Sequence, residues 1–313
     1  MFKSTLYVET DDGARIAYHF LPASPPSSGP AFGIVLICHG LAEHARRYEG
    51  FAKALSAAGF HVYAHDHRGH GETMAPNAQL GRFAPQNGLD KVIADVKTMR
   101  DFAAGAHPAL PVLLFGHSMG GLIALRAATE YPSSFKALAV WNSNFNAGFA
   151  GYVARAVLKI ERALKGSDVP SLIMARSTFD AWGKSIPGHR TSFDWLSRDP
   201  SEVDTYIADP LCGFPASVSL WLDILELTLN TTTPARLSRL ANALPVHLVG
   251  GGQDPATDKA KAMQWLAQRL RQNGLTTVTL QIYPQMRHET LNEIGREQAM
   301  SDFIGWAQQA VAP

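Results

Sequence analysis

Gly116-His117-Ser118-Met119-Gly120 sets a hydroxyl between two glycines, where an apolar run at 112–115 gives way to strong helix formers at 122–128. A sharp strand-to-helix turn holds its serine in a strained conformation with Oγ presented outward, and the flanking glycines let neighbouring backbone approach. The following helix N-terminus favours negative charge developing nearby. Ser118 is therefore the candidate nucleophile. A serine hydroxyl is a poor nucleophile at neutral pH, so it needs a base to take its proton and an acid to fix that base's tautomer. In a strand–turn–helix setting of this type the partners follow the serine in the order acid, then histidine, each on a loop after a late strand. Two loops qualify: 246–249 runs into Gly250-Gly251-Gly252-Gln253-Asp254-Pro255, and 278–283 runs into Pro284-Gln285-Met286-Arg287-His288. Asp254 is expected to orient His288, and His288 to act as general base. The competing readings are a helix N-cap for Asp254 and a surface loop position for His288. Asp258 lies one helical turn further on and Asp223 lies far from any strand end, so neither has Asp254's position.

Acyl transfer by such a serine passes through an oxyanion, which needs preorganised N–H donors. One should be Met119 N–H, directly after the nucleophile. The other should come from the loop after the first core strand, His39-Gly40-Leu41-Ala42-Glu43-His44, with Leu41 N–H the candidate. His39 and Gly40 are expected beside the substrate.

These residues require a particular scaffold. Apolar runs at 34–38, 62–65, 112–115, 137–141, 246–249 and 278–283 alternate with helical stretches. Continuous apolar strands imply a sheet covered on both faces, hence a doubly wound, mostly parallel α/β sheet. Ahead of it, 4–10 and 14–20 flank Asp11-Asp12-Gly13 and read as an antiparallel hairpin, and 22–30, rich in Pro and Ser, reads as a loop. The rhythm breaks at about 145–235, where helical segments (147–164 and 218–229) alternate with loops rich in Trp, Pro and Gly. That stretch is expected to be a cap inserted into a core formed by 1–144 and 236–313, lying over the strands' carboxyl ends where ligands bind such sheets. Phe149, Leu158, Trp182, Leu220 and Trp221 would then wall a narrow acyl tunnel. Cys212 would line the same pocket or be a buried structural thiol. Residues 145–160 read either as a lid making transient contact with a membrane or micelle, or as a core-facing helix.

Lys+Arg 28 against Asp+Glu 27 gives a net charge of +1, which argues against nucleic acid or a polybasic lipid footprint. Cys38 and Cys212 are expected to be free thiols in a reducing, cytoplasmic setting, peripheral to a membrane at most. The opening residues lack a secretory pattern and no run reaches about 18 apolar residues. His65-Asp66-His67 with His70 resembles a metal cluster, but 68–71 is better explained as hydrogen-bonded support for the oxyanion loop; no metal and no organic cofactor is expected. His117 reads as a packed elbow residue.

The chain resembles the monoacylglycerol lipase and lysophospholipase group of the α/β-hydrolase superfamily. The motifs are H-G-L-A-E-H at 39–44, H-D-H-R-G-H-G at 65–71, G-H-S-M-G-G at 116–121, D-P-L at 209–211, G-G-Q-D at 251–254, R-H-E at 287–289 and N-E at 292–293. Carried over by motif, the resemblance implies an α/β-hydrolase fold with a helical cap, a triad of Ser118, Asp254 and His288, and oxyanion donors at Leu41 and Met119. It also implies a small-molecule acyl ester as substrate. Typical monoacylglycerol lipases carry H-G-x-G-E-H, whereas Ala42 stands here in place of the second glycine. The rival readings are a peptidase or amidase of the same fold and a homologue that binds ligands without turnover.

Overall fold

The computed structural model describes residue 2, residues 4–24 and residues 30–312; positions 25–29 of the 22–30 loop lie outside the described residues. Eight strands form one sheet: β1 Leu6–Glu9, β2 Arg15–Leu21, β3 Gly33–Cys38, β4 Phe60–His65, β5 Val112–His117, β6 Ala137–Trp141, β7 Val246–Gly251 and β8 Val278–Tyr283, in the order β1-β2-β4-β3-β5-β6-β7-β8. From β4 to β8 all neighbours are parallel, while β2 runs antiparallel to both β1 and β4. The chain therefore has the α/β-hydrolase fold.

Helices α1 Glu49–Ala57, α2 Gly88–Ala106 and α3 Met119–Glu130 follow β3, β4 and β5, and α10 Lys261–Gln272 and α11 Arg296–Val311 follow β7 and β8. Alternate residues of each core strand point to opposite faces. Ile34, Leu36, Leu114 and Val140 pack with α2 and α3, whereas Val35, Ile37, Phe115 and Trp141 pack with α1 and α11. Every residue of β3, β5, β6 and β7 is buried, which is why these runs read as unbroken apolar stretches.

Between β6 and β7 the chain leaves the sheet for a helical cap: α4 Gly148–Lys165, α5 Leu172–Ser177, α6 Phe179–Lys184, α7 Pro200–Ala208, α8 Val218–Asn230 and α9 Pro234–Leu237. Leu158 and Leu220, expected to wall a tunnel, are instead wholly buried core residues of α4 and α8. Among the described residues no helix is long and apolar enough to cross a membrane.

Candidate active site

Ser118 follows the last residue of β5 and precedes α3, with φ 56° and ψ −121°. Its N–H donates to Trp141 O at 2.8 Å, and its own carbonyl accepts from the Gly121 and Leu122 amides and from Ser143 Oγ. These bonds hold a conformation that a non-glycine residue adopts only under constraint. A Cβ on Gly116 would lie 2.2 Å from Gly120 O, and one on Gly120 would lie 2.1 Å from Cys38 O. The turn therefore admits no side chain at either position.

His288 Nε2 lies 2.9 Å from Ser118 Oγ, and His288 Nδ1 lies 2.9 Å from Asp254 Oδ2. Asp254 is fully buried, and the same Oδ2 accepts from Thr257 Oγ1 at 2.8 Å and Asn142 Nδ2 at 3.1 Å. Burial pushes its carboxyl up, but His288 and these donors outweigh that and hold it below the usual carboxylate value. Asp254 also accepts from Ala256 N–H at 2.9 Å through Oδ1, so it caps the short turn Pro255–Thr257 while it faces His288. Both sequence readings of Asp254 describe one carboxylate. The loop carrying His288 is stapled to cap residues 194–198. Glu289 N–H donates to Leu196 O, Arg287 reaches Asp194 O and Ser197 O, Arg198 pairs with Glu293, and the Trp195 ring packs on His288.

The loop after β3 arranges Leu41 N–H through its neighbours. His39 Nε2 accepts from His67 N–H at 3.0 Å, so its hydrogen sits on Nδ1, which donates to Gly40 O at 2.8 Å. Burial keeps this imidazole neutral by lowering its pKa well below the usual value, in keeping with that tautomer. The Gly40 carbonyl and Leu41 N–H belong to one trans peptide and point in opposite directions, so His39 fixes where Leu41 N–H is aimed. Gly40 N–H donates to Glu43 Oε1 at 2.5 Å, and a Cβ at Gly40 would stand 3.3 Å from Ser118 Cβ. Met119 opens α3, where the first N–H groups have no intrahelical acceptor.

A cavity of ≈ 360 Å³ opens over Ser118. Met174, Phe179, Trp182, Trp221, Ile224 and Leu225 give it an apolar wall, and Glu43, His117, Tyr206 and Glu289 a polar one. The polar wall is a buried network: Arg47 bridges Glu43 and Glu289 and lies 4.9 Å over the Tyr206 ring, and Tyr48 OH donates to Glu43. His117 Nδ1 faces Glu43 at 3.4 Å and Nε2 faces His288 O at 3.0 Å. Burial lowers its pKa, but these two acceptors prevail and raise it. None of Glu43, Arg47, Asn142 or Tyr206 was singled out from the sequence. Only the E-H ending of the 39–44 motif hinted at Glu43.

Of the expected pocket residues, Gly40, Leu41, Met119, Trp182 and Trp221 line the cavity; Phe149, His39 and Cys212 do not. Phe149 is 82% exposed, because α4 and its N-cap turn Ala147, Ala150, Gly151 and Ala154 toward the cavity while Phe149, Tyr152, Val153, Ile160 and Leu164 face outward. His39 is sealed behind the loop that it orients. Cys212 is a buried free thiol behind Asp209 and His44, and burial raises its pKa. Cys38, His65 and His67 bring one donor atom each within 4.8 Å of the others. Burial raises the thiol and lowers both imidazoles, so the trio is neutral, fully buried and outside the cavity lining.

This sheet, its cap and a serine at the turn after β5 define an α/β-hydrolase of the serine-hydrolase type. The family model described as serine aminopeptidase, S33 (Hydrolase_4), matches residues 29–295, and the chain belongs to that family. It is 30% identical to the monoacylglycerol lipase of Mycolicibacterium smegmatis over 94% of this chain and 93% of that one. The monoglyceride lipase of Rattus norvegicus is 27% identical over 91% of this chain and 85% of its own. A solved structure described as a lipase in open form superposes with a TM-score of 0.85 at 27% identity, covering 99% of both chains. A Bacillus coagulans carboxyl esterase reaches 0.88 at 23% identity, which speaks to the fold. The protein is thus an esterase or lipase type of α/β-hydrolase.

Proposed function

We propose that this protein hydrolyses the ester of a single-chain lipid, a monoacylglycerol or lysophospholipid, through an acyl-enzyme on Ser118. Ser118 Oγ attacks the acyl carbonyl as His288 Nε2 takes its proton, and Asp254 stabilises the resulting imidazolium. The oxyanion is held by Leu41 and Met119 N–H. His288 then protonates the leaving alcohol, and a water deprotonated by His288 releases the fatty acid.

The observation that carries this reading is the two-sided lining of the cavity. Its aromatic and aliphatic wall suits an alkyl chain, and its network of Glu43, Arg47, Tyr206 and Glu289 suits a hydroxylated head group. An aminopeptidase needs an acid free to meet the substrate's ammonium group. Among the described residues lining the cavity the acids are Glu43 and Glu289, and both are already paired with Arg47. Ester hydrolysis is therefore favoured over peptide hydrolysis. The outer face of α4, with Phe149, Tyr152, Val153, Ile160 and Leu164 exposed and Arg155, Lys159 and Arg162 on its flank, suits brief contact with a lipid surface or micelle.

The test is turnover of p-nitrophenyl esters graded by chain length, then of mono-, di- and triacylglycerols, with aminoacyl arylamides alongside. Each methylene buried contributes roughly 0.8 kcal/mol, so kcat/KM should climb from acetyl toward medium and long chains. Triacylglycerols should be much poorer substrates, because a covered cavity has room for one chain. An optimum at acetyl, triacylglycerol turnover equal to that of monoacylglycerol, or faster arylamide cleavage would refute the proposal.

A further inference from the structure

Ala42 sits in the oxyanion loop with φ 56°, a left-handed conformation that alanine adopts only under constraint. Its side chain is fully buried, and its carbonyl accepts two hydrogen bonds, both from the cap: Tyr206 OH at 2.9 Å and Gly213 N–H at 2.9 Å. Gly213 N–H also lies 3.1 Å from the Tyr206 oxygen, so the three groups close a small triangle. Further along the chain the cap grips this segment twice more, through His44 Nε2 to Asp209 Oδ2 at 2.9 Å and through Arg47 over the Tyr206 ring. The peptide that carries Leu41 N–H thus lies between two fixed points. His39 and Glu43 hold the Gly40 side, and Tyr206 and Gly213 hold the Ala42 side.

We infer that Tyr206 is a positioning residue for the oxyanion loop, and that its hydroxyl is required because alanine, not glycine, occupies the left-handed turn at 42. The inference rests on the reading above that Leu41 N–H stabilises the oxyanion. Glycine would hold this turn without help. Alanine tends to relax toward negative φ; that rotation turns the 41–42 peptide, and the Leu41 backbone must turn to follow it, which redirects N–H of the adjoining 40–41 peptide. The cap therefore takes part in chemistry at the far side of Ser118 through one backbone carbonyl.

The experiment compares wild type, Tyr206→Phe, Ala42→Gly and the double variant on a short, soluble ester such as p-nitrophenyl butyrate. It also measures the rate of fluorophosphonate labelling and the affinity of a trifluoromethyl ketone, whose adduct places an oxyanion in the hole. Because Gly213 N–H still holds Ala42 in Tyr206→Phe, kcat and labelling rate should fall about 10- to 100-fold, the scale of a misplaced catalytic group. KM should change by less than about threefold, since on this reading the lost interaction acts in the transition state. Trifluoromethyl ketone affinity should fall in parallel with kcat/KM. Adding Ala42→Gly should restore most of the loss, although it returns no hydroxyl. A Tyr206→Phe defect confined to KM, or one that Ala42→Gly leaves untouched, would overturn the inference and make Tyr206 a direct substrate contact. Wild-type protein that fails to label would instead refute the underlying serine-hydrolase mechanism, so the two failures are distinct.

Discussion

The strand-end positions of Ser118, Asp254 and His288 were legible because each obeys a local grammar of a strand end, a turn residue and a loop, and that grammar is written within about ten residues of sequence. Asn142 was not, because it meets Asp254 only once β6 and β7 pair and brings together residues 112 positions apart. The Arg47 bridge between Glu43 and Glu289 was hidden for the same reason. On the proposed mechanism, Ser118→Ala should abolish fluorophosphonate labelling and lower kcat by about 10⁴ to 10⁶. Asp254→Asn should cost on the order of 10⁴, since an amide presents the wrong group to Nδ1. Steady-state kinetics would check both. Retention of a tenth of activity by either variant would exclude that residue from its role.

At the scale of elements, hydropathy located α4 but could not orient it. Its cavity face is built from alanine and glycine, so of the two large residues expected to wall the pocket Phe149 points outward and Leu158 is buried in the core. Replacing Phe149 and Leu164 together by serine should therefore leave turnover of a soluble short ester within about twofold of wild type, as expected for exposed positions. The same variant should lose activity on micellar or vesicle-borne monoacylglycerol, and the ratio of the two rates is the measurement. Asp223 is a second case. It lies on α8 against the first turn of α2, where a Cβ on Gly88 would stand 2.4 Å from its Oδ2. Burial raises its pKa to about 7, despite a hydrogen bond from Leu89 N–H. An acid whose pKa is raised on folding contributes stability that is full below its unfolded value, near 4, and is lost as pH rises through 7. Asp223 is only half-buried, so solvent screening reduces the effect to on the order of 1 kcal/mol. Wild type should lose that much stability between pH 5 and pH 8 relative to Asp223→Asn, read as a difference in Tm; parallel Tm profiles would refute it.

For the whole molecule, the six apolar runs announced the core strands because parallel strands covered on both faces have no polar side to show. Their spatial order was not legible, since nothing within β4 says that it pairs with both β2 and β3. Nor did the sequence reveal that the cap is joined to the sheet unevenly. Residues 194–213 are bonded both to the His288 loop and to the oxyanion loop, and α6 packs on Trp195, whereas α4 rests on α8 and α4 and α5 present apolar residues to solvent. The consequence concerns time rather than position. Local opening free energies within one protein range from near zero up to that of global unfolding. In hydrogen–deuterium exchange, amides of 195–213 should be protected about as long as those of β7, because freeing them disrupts both loops that flank Ser118. Amides of α4 and α5, residues 148–177, should exchange orders of magnitude sooner, and uniform protection across 148–213 would refute this division. On this division the first half of the cap is the part expected to open, while the second half holds in place both loops beside Ser118.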